Sequence, residues 1–165
     1  RVFCLSRGLG DVYKRQPWGE VDGCWQALPA EPADHAAAPW QLGSSTWLAL
    51  GQQSYLASWF EDGFGQLGLR TADGRVERFA SAYTRFRSLA MDPEHLYAIA
   101  ASPISPPTVI AIARSNHEVS VLAGGAEVLP ASHISLPQSI HYGSDGNRAH
   151  GFFYPAARSL SLIHI

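Results

Sequence analysis

Two stretches decide the fold: TWLALGQQSYLASWFEDGFGQLGLRTADGRVERF (Thr46–Phe79) and FRSLAMDPEHLYAIAASPISPPTVIAIARSNHEVSVL (Phe86–Leu122). Each contains four short β-prone runs separated by turn residues. In the first they are TWLAL (Thr46–Leu50), SYLASWF (Ser54–Phe60), QLGLR (Gln66–Arg70, weakened by Gly68) and RVERF (Arg75–Phe79). Asp73-Gly74 between the last two is a strong hairpin signal. In the second they are FRSLAM (Phe86–Met91), HLYAIAAS (His95–Ser102), TVIAIA (Thr108–Ala113) and EVSVL (Glu118–Leu122), with Pro103, Pro106 and Pro107 expected to break the chain between the middle two.

The two stretches are one unit repeated. Tyr55 corresponds to Tyr97 at a spacing of 42 residues, and Val76 to Val119 at 43. A four-strand unit with a period of about 40–45 residues is the mark of a β-propeller blade. HLYAIAAS and TVIAIA are apolar on both strand faces, as a sheet covered from both sides requires. The alternative is a single antiparallel sandwich of eight strands. The expected class is all-β, with about two four-stranded antiparallel β-propeller blades. Two blades by themselves leave sheet faces and edges that a full ring covers.

Outside this core the pattern is weaker. GCWQAL, ending at Leu28, is a strand candidate, and Asp34–Ala38 is a possible helical turn capped by Asp34 and stopped by Pro39. The connection AGGAEVLPASHIS after Leu122 reads as the exit from the repeats, and it leads to PQSIHYGSDGNRAHGFFYP (Pro137–Pro155). That segment is two strands, QSIHYG and RAHGFFYP, around a Ser-Asp-Gly-Asn loop.

Composition sets the bounds. Of 165 residues, 46% are hydrophobic and 16% charged, a globular balance. A formal charge of -2 argues against a nucleic-acid or anionic-membrane partner, and no apolar run reaches the length of a membrane span. Cys4 and Cys24 make neither a disulfide framework nor a zinc site, and the expected compartment is the reducing cytoplasm. The chain does not begin with Met, so the true N-terminus is expected to be missing. DVYKRQ (Asp11–Gln16) and SLIHI (Ser161–Ile165) resemble translated library adapter, as found at the ends of metagenomic reading frames. The expected organisation is a non-native leader over 1–16, the C-terminal part of a propeller over 17–136, a hairpin over 137–158 and a non-native tail over 159–165.

The hairpin segment LPQSIHYGSDGNRAHGFFYPA resembles the domain junction of prolyl oligopeptidase-family serine peptidases, in the bacterial acylaminoacyl-peptidase or dipeptidyl-aminopeptidase-like branch. The likeness rests on Pro137, Ile140, Gly146, Ala149, His150, Gly151, Phe152, Tyr154 and Pro155. PWQLGSSTWLAL (Pro39–Leu50) and SPISPPTVIAI (Ser102–Ile112) are similar, more loosely, to late blades of that branch. The resemblance implies a parent in which a propeller gates an α/β-hydrolase domain, admitting short or unfolded peptides to a serine nucleophile, a histidine base and an orienting aspartate. The hairpin would open that hydrolase domain, which packs on this piece. The G-x-S-x-G nucleophile elbow is not in the sequence; Gly43-Ser44-Ser45-Thr46-Trp47 lacks the second Gly. The piece is therefore expected to be inactive alone, with no catalytic, cofactor-binding or metal-binding residue of its own. A non-enzymatic propeller used for binding or scaffolding is the rival reading.

The remaining candidates have bland readings beside the functional ones. His133, His141 and His150 cluster at the junction; a boundary role is expected, with His141 and His150 pairing across the hairpin or facing the missing domain. His35, His95 and His117 are expected to be solvated. Glu61 and Asp62 are adjacent carboxylates in a turn, and such neighbours need not converge on one site. Glu31 and Asp34 lack the spacing of a calcium loop. Trp40, Trp47, Trp59 and Tyr55 are expected in a blade core. Arg85 and Arg87, flanking Phe86, could line a substrate-facing rim.

Overall fold

The computed structural model describes residues 2–5, 16–28, 33, 35, 43–51, 53–126, 129–144 and 149–156. Glu31, Asp34, the possible turn over 36–38, Trp40, Gly146 and the tail lie outside the described residues.

The chain is all-β, and no α-helix occurs among the described residues. Sheet 1 joins β1 (Val2–Leu5), β2 (Gln16–Val21) and β3 (Cys24–Ala27) in that order. Sheet 2 is the meander β4 (Trp47–Gly51), β5 (Ser54–Glu61), β6 (Phe64–Arg70) and β7 (Val76–Arg78). Sheet 3 repeats it with β8 (Arg85–Met91), β9 (His95–Ser102), β10 (Ser105–Ala113) and β11 (Val119–Gly124). A 3-10 turn (Ala131–His133) precedes the closing hairpin of β12 (Gln138–Tyr142) and β13 (Ala149–Phe153). All strand pairs are antiparallel. The two four-stranded sheets are the two expected repeats, with Val76 and Val119 each opening a fourth strand. Sheet 1 was only partly foreseen: β3 matches the expected strand, whereas β1 lies in the stretch set aside as leader.

Burial explains the stacking. In β5, Tyr55 through Trp59 are all buried, so the strand is covered on both faces. Tyr55, Ala57 and Trp59 pack with Leu28 and Ala33, while Leu56 on the opposite face packs with Leu67, Phe79, Phe86, Leu96, Ile110 and Ile112. Sheet 2 is thus the filling between sheets 1 and 3. Sheet 3 is buried mainly on one face: in β9 Leu96, Ala98 and Ala100 are covered while Tyr97 and Ile99 between them are half-buried, although β10 buries Ile110, Ala111 and Ile112 in succession. The double-sided burial expected of HLYAIAAS and TVIAIA is met in TVIAIA at Ile110, Ala111 and Ile112 but not in HLYAIAAS, and it is most extensive in the sheet 2 strand SYLASWF. On β11 every residue is exposed, Val121 and Leu122 at 55% and 57%.

Bulges tune this packing. Arg87 pairs with Ile99 but Ala90 with Tyr97, so Ser88 and Leu89 together oppose one residue. Ser88 takes a left-handed backbone (φ 54°), and the extra residue turns Leu89 into the core beside Phe86, three positions away. The Leu89 amide donates to the Ser45 carbonyl at 3.0 Å, tying β8 to the start of sheet 2. Pro106 and Pro107 do not end the strand before Thr108 as expected. They lie inside β10, where the register shifts between Ser105 and Thr108 and a missing N–H breaks no ladder bond. Sheets 2 and 3 also meet where the Gly65 amide donates to the Thr84 carbonyl at 2.6 Å. A Cβ on Gly65 would lie 2.7 Å from that oxygen, so only glycine permits the approach.

The β8–β9 turn is organised by Asp92. Its carboxylate accepts from the Tyr97 hydroxyl at 2.6 Å, the His95 amide at 2.6 Å and the Glu94 amide at 2.8 Å. The Tyr97 hydrogen bond first, and then those two amides, hold the Asp92 carboxyl below its ordinary range. The same contact raises the Tyr97 phenol.

Two outcomes follow. Ile110→Ala, at a residue with 0% exposure, is expected to lower unfolding stability by about 2–5 kcal/mol in denaturant titration, whereas Val121→Ala changes it little. Asp92→Asn is expected to destabilise at neutral pH. Because the folded-state pKa is depressed, that contribution is present above the unfolded carboxylate pKa and is lost as pH falls through the folded one. The stability gap between Asp92→Asn and the unmodified chain therefore narrows on acidification, as thermal unfolding at neutral and acid pH will show.

Candidate functional site

The hairpin β12–β13 meets its neighbours through polar and aromatic side chains. Strand alternation and register put Ser139, His141, His150 and Phe152 on one face, with His141 directly opposite His150 and Ser139 opposite Phe152. This face meets the β5–β6 turn of sheet 2. Phe152 lies edge-on to Phe64 with centroids 5.2 Å apart, and His141 Nε2 is 3.8 Å from Asp62 Oδ1. Asp62 and Gly63 both take left-handed backbones (φ 50° and 82°), which makes the turn tight. A Cβ on Gly63 would collide with the Phe152 ring and lie 2.8 Å from His150 Cε1. Glycine is needed there both for its backbone angle and for this approach.

The opposite face carries Ile140, Tyr142 and Phe153, exposed at 41%, 59% and 52%. Among the described residues no layer covers these large apolar groups.

His141 and His150 pair across the hairpin, as one of the two expectations had it, with ring centroids 5.0 Å apart. His150 Nε2 is 3.0 Å from Ser139 Oγ. A serine within reach of an imidazole meets one condition of nucleophilic catalysis. The others are unmet: the carboxylate of Asp62 contacts His141 and not His150, and His150 is flanked instead by the Phe152 ring at 5.0 Å. The pair is a contact across the hairpin. Among the described residues no three His, Cys, Asp or Glu are placed to hold a metal ion. Cys24 is exposed and free.

Between the hairpin, the 129–137 connection and one end of sheet 3 lies a cleft of about 1080 Å³. Its walls include Phe60, Phe64, Phe152 and Tyr154, and its floor Ile99 and Ala101. Arg85 and Arg87 both line it, as does His133. The Ser135 hydroxyl donates to the Pro155 carbonyl, tying the connection to the end of the hairpin. The volume is of the order of pockets that take small molecules or short peptides (roughly 300–1,000 Å³).

The other candidates fall elsewhere. Glu61 pairs with Arg78 at 2.8 Å while Asp62 turns to His141, so the two carboxylates do not converge. Trp47, Trp59 and Tyr55 belong to the core between sheets 1 and 2, and the Arg78 guanidinium covers the Trp59 ring at 5.5 Å. His35, expected in solvent, is buried and stacked on Trp59 at 5.9 Å. The aromatic surface around Trp59 draws its ring out of water. His95 and His117 are partly exposed; His117 lies 3.4 Å from Glu77 and packs edge-on to Phe79, joining sheet 3 to sheet 2. Ser139, Phe60 and the segment lining the cleft were not singled out in the sequence. Their only signal is proximity, which folding creates.

No protein-family model and no curated protein matches the sequence. Solved structures do match in fold. A puromycin-hydrolysing peptidase of Mycobacterium tuberculosis superposes on 87% of this chain with a TM-score of 0.72 and 21% identity. A puromycin hydrolase superposes on 86% with a TM-score of 0.71 and 18% identity, and a mutant of puromycin hydrolase complexed with PGG gives 0.69, also at 18%. The chain spans 22% of the length of each. It therefore has the fold of part of these peptidases, and its four-stranded antiparallel sheets are those of propeller blades.

Gly63→Val is expected to unseat the hairpin while leaving sheets 2 and 3 folded. Amide exchange across Gln138–Tyr142 should rise at least about tenfold, equivalent to a local loss of about 1.4 kcal/mol, with protection of β9 and β10 unchanged.

Proposed function

We propose that this chain is a portion of a serine peptidase of the prolyl oligopeptidase family, comprising late propeller blades and the hairpin that opens an α/β-hydrolase domain. The observation that carries the reading is the hairpin itself. It leaves the last repeat, docks one face on the sheet 2 turn through Phe152 and Gly63, and turns Ile140, Tyr142 and Phe153 outward. That outward face suits the first strands of a sheet continued by further chain. The likeness in fold to puromycin-hydrolysing peptidases supports the same assignment, and so do the junction residues Pro137, Ile140, Ala149, His150, Gly151, Phe152, Tyr154 and Pro155.

In this reading the hydrolase domain supplies the serine, histidine and aspartate, and the blades restrict its substrates to short peptides and similar small amides. Nothing in the 165 residues supplies a G-x-S-x-G elbow, and the Ser139–His150 contact lacks an orienting acid. The piece is then a gate and a platform without chemistry of its own.

The reading is tested with a fluorophosphonate probe. The purified 165-residue chain is expected to remain unlabelled. The same chain extended by its downstream coding sequence is expected to label at a serine within a G-x-S-x-G motif. A further blade repeat downstream, with no such motif, would instead favour a binding propeller.

A further inference from the structure

The cleft carries an unbalanced charge. Arg85 and Arg87 are two apart on β8, so they share the face opposite the buried Phe86, their Cα atoms about 6.6–6.8 Å apart along the strand. Both are exposed, and both line the cleft. Among the described residues neither guanidinium has a hydrogen bond or an ion pair. Among the described residues no Asp or Glu lines the cleft. The carboxylates of the adjoining turn are turned to other cations, Glu61 to Arg78 at 2.8 Å and Asp62 toward His141 at 3.8 Å.

The surroundings strengthen that charge. The register places Arg85 opposite Ala101 and Arg87 opposite Ile99, so the two cations rise from an apolar floor. Phe60, Phe64, Phe152 and Tyr154 line the walls. Low-dielectric walls focus the field of like charges into a cleft. A guanidinium presents a planar fork of donors matched to a carboxylate, and a pair at this spacing can hold one carboxylate from both sides.

We infer that the cleft is a binding site for the carboxylate of a peptide, held between Arg85 and Arg87 with an adjacent apolar side chain against Phe152 and Tyr154. The choice of a peptide as occupant rests on the peptidase reading; the anion site rests on the arginines and the cleft. The site would favour substrates bearing a C-terminal carboxylate or an acidic side chain next to an apolar residue.

The test is binding to the 165-residue chain by calorimetry at low salt, with three probes. These are N-acetyl-phenylalanyl-glutamate, its neutral counterpart N-acetyl-phenylalanyl-glutamine amide, and 4-phenylbutyrate as a non-peptide acid. The dipeptide acid is expected to bind about tenfold or more tightly than the amide, as one charge-assisted contact warrants, and to weaken with salt. The double variant Arg85→Gln/Arg87→Gln is expected to remove that preference without shifting the thermal unfolding midpoint. Arg85→Lys/Arg87→Lys, which keeps the charge, should retain part of it and guards against loss of fold in the Gln variant. Equal binding of acid and amide, no saturable binding of either acid, or an unchanged preference in the double Gln variant would overturn the site. Arginine-dependent binding of 4-phenylbutyrate without binding of the dipeptide keeps the anion site and overturns the peptide occupant. None of these outcomes depends on whether a hydrolase domain follows, so failure of the peptidase reading would be seen separately by fluorophosphonate labelling.

Discussion

A four-stranded antiparallel sheet has two faces and cannot bury either by itself. The structure follows from that constraint. Sheet 2 is apolar on both sides, and its central strand is closed by Leu28 and Ala33 on one side and by Ile110, Ile112 and Leu96 on the other. Burying a large aliphatic side chain contributes about 1.5–3 kcal/mol, so the contacts between sheets outweigh any single turn or ion pair. The exposed salt bridges, such as Glu61–Arg78, fix turns at the edges of this stack and add little to its stability.

Stacking sheets by their faces requires fine adjustment of register, and the chain makes it with bulges. Ser88 and Leu89 break the two-residue rhythm of β8 so that Phe86 and Leu89 both reach the core. The same stretch leaves Arg85 and Arg87 on the opposite side, where the cleft opens. The core and the candidate site are thus two consequences of one strand. Gly65 permits the neighbouring contact, where the backbone of sheet 2 meets the Thr84 carbonyl.

The hairpin converts this stack into something with an outside. One of its faces is spent on the Asp62–Gly63 turn and on Phe64; the other presents large apolar residues. Between the docked hairpin and sheet 3 remains a cleft with aromatic walls and two cations that have no partner among the described residues. A chain that only had to close its own core would have no use for that combination.

The linear pattern determined the strands and the repeat. Nine of the strands, β3 to β11, were legible because β-prone runs and turn residues are local, and because Tyr55/Tyr97 and Val76/Val119 keep the period of one blade. The hairpin at Gln138–Phe153 was legible for the same reason, and its resemblance to a peptidase junction came from side chains within one short segment. Less could be read where an outcome depends on distant neighbours. The prolines at 106 and 107 looked like a strand break because a missing N–H is local, whereas the bulge that accommodates them is made with β9. His35 looked solvated because the Trp59 surface that buries it lies far along the chain. Arg85 and Arg87 could be read from the sequence as candidates for a rim; that they face a cleft where no described Asp or Glu lies was decided by how sheet 3, the connection and the hairpin meet. Local propensity therefore set the strands and turns, and long-range packing set which faces are covered and which charges are left without a partner.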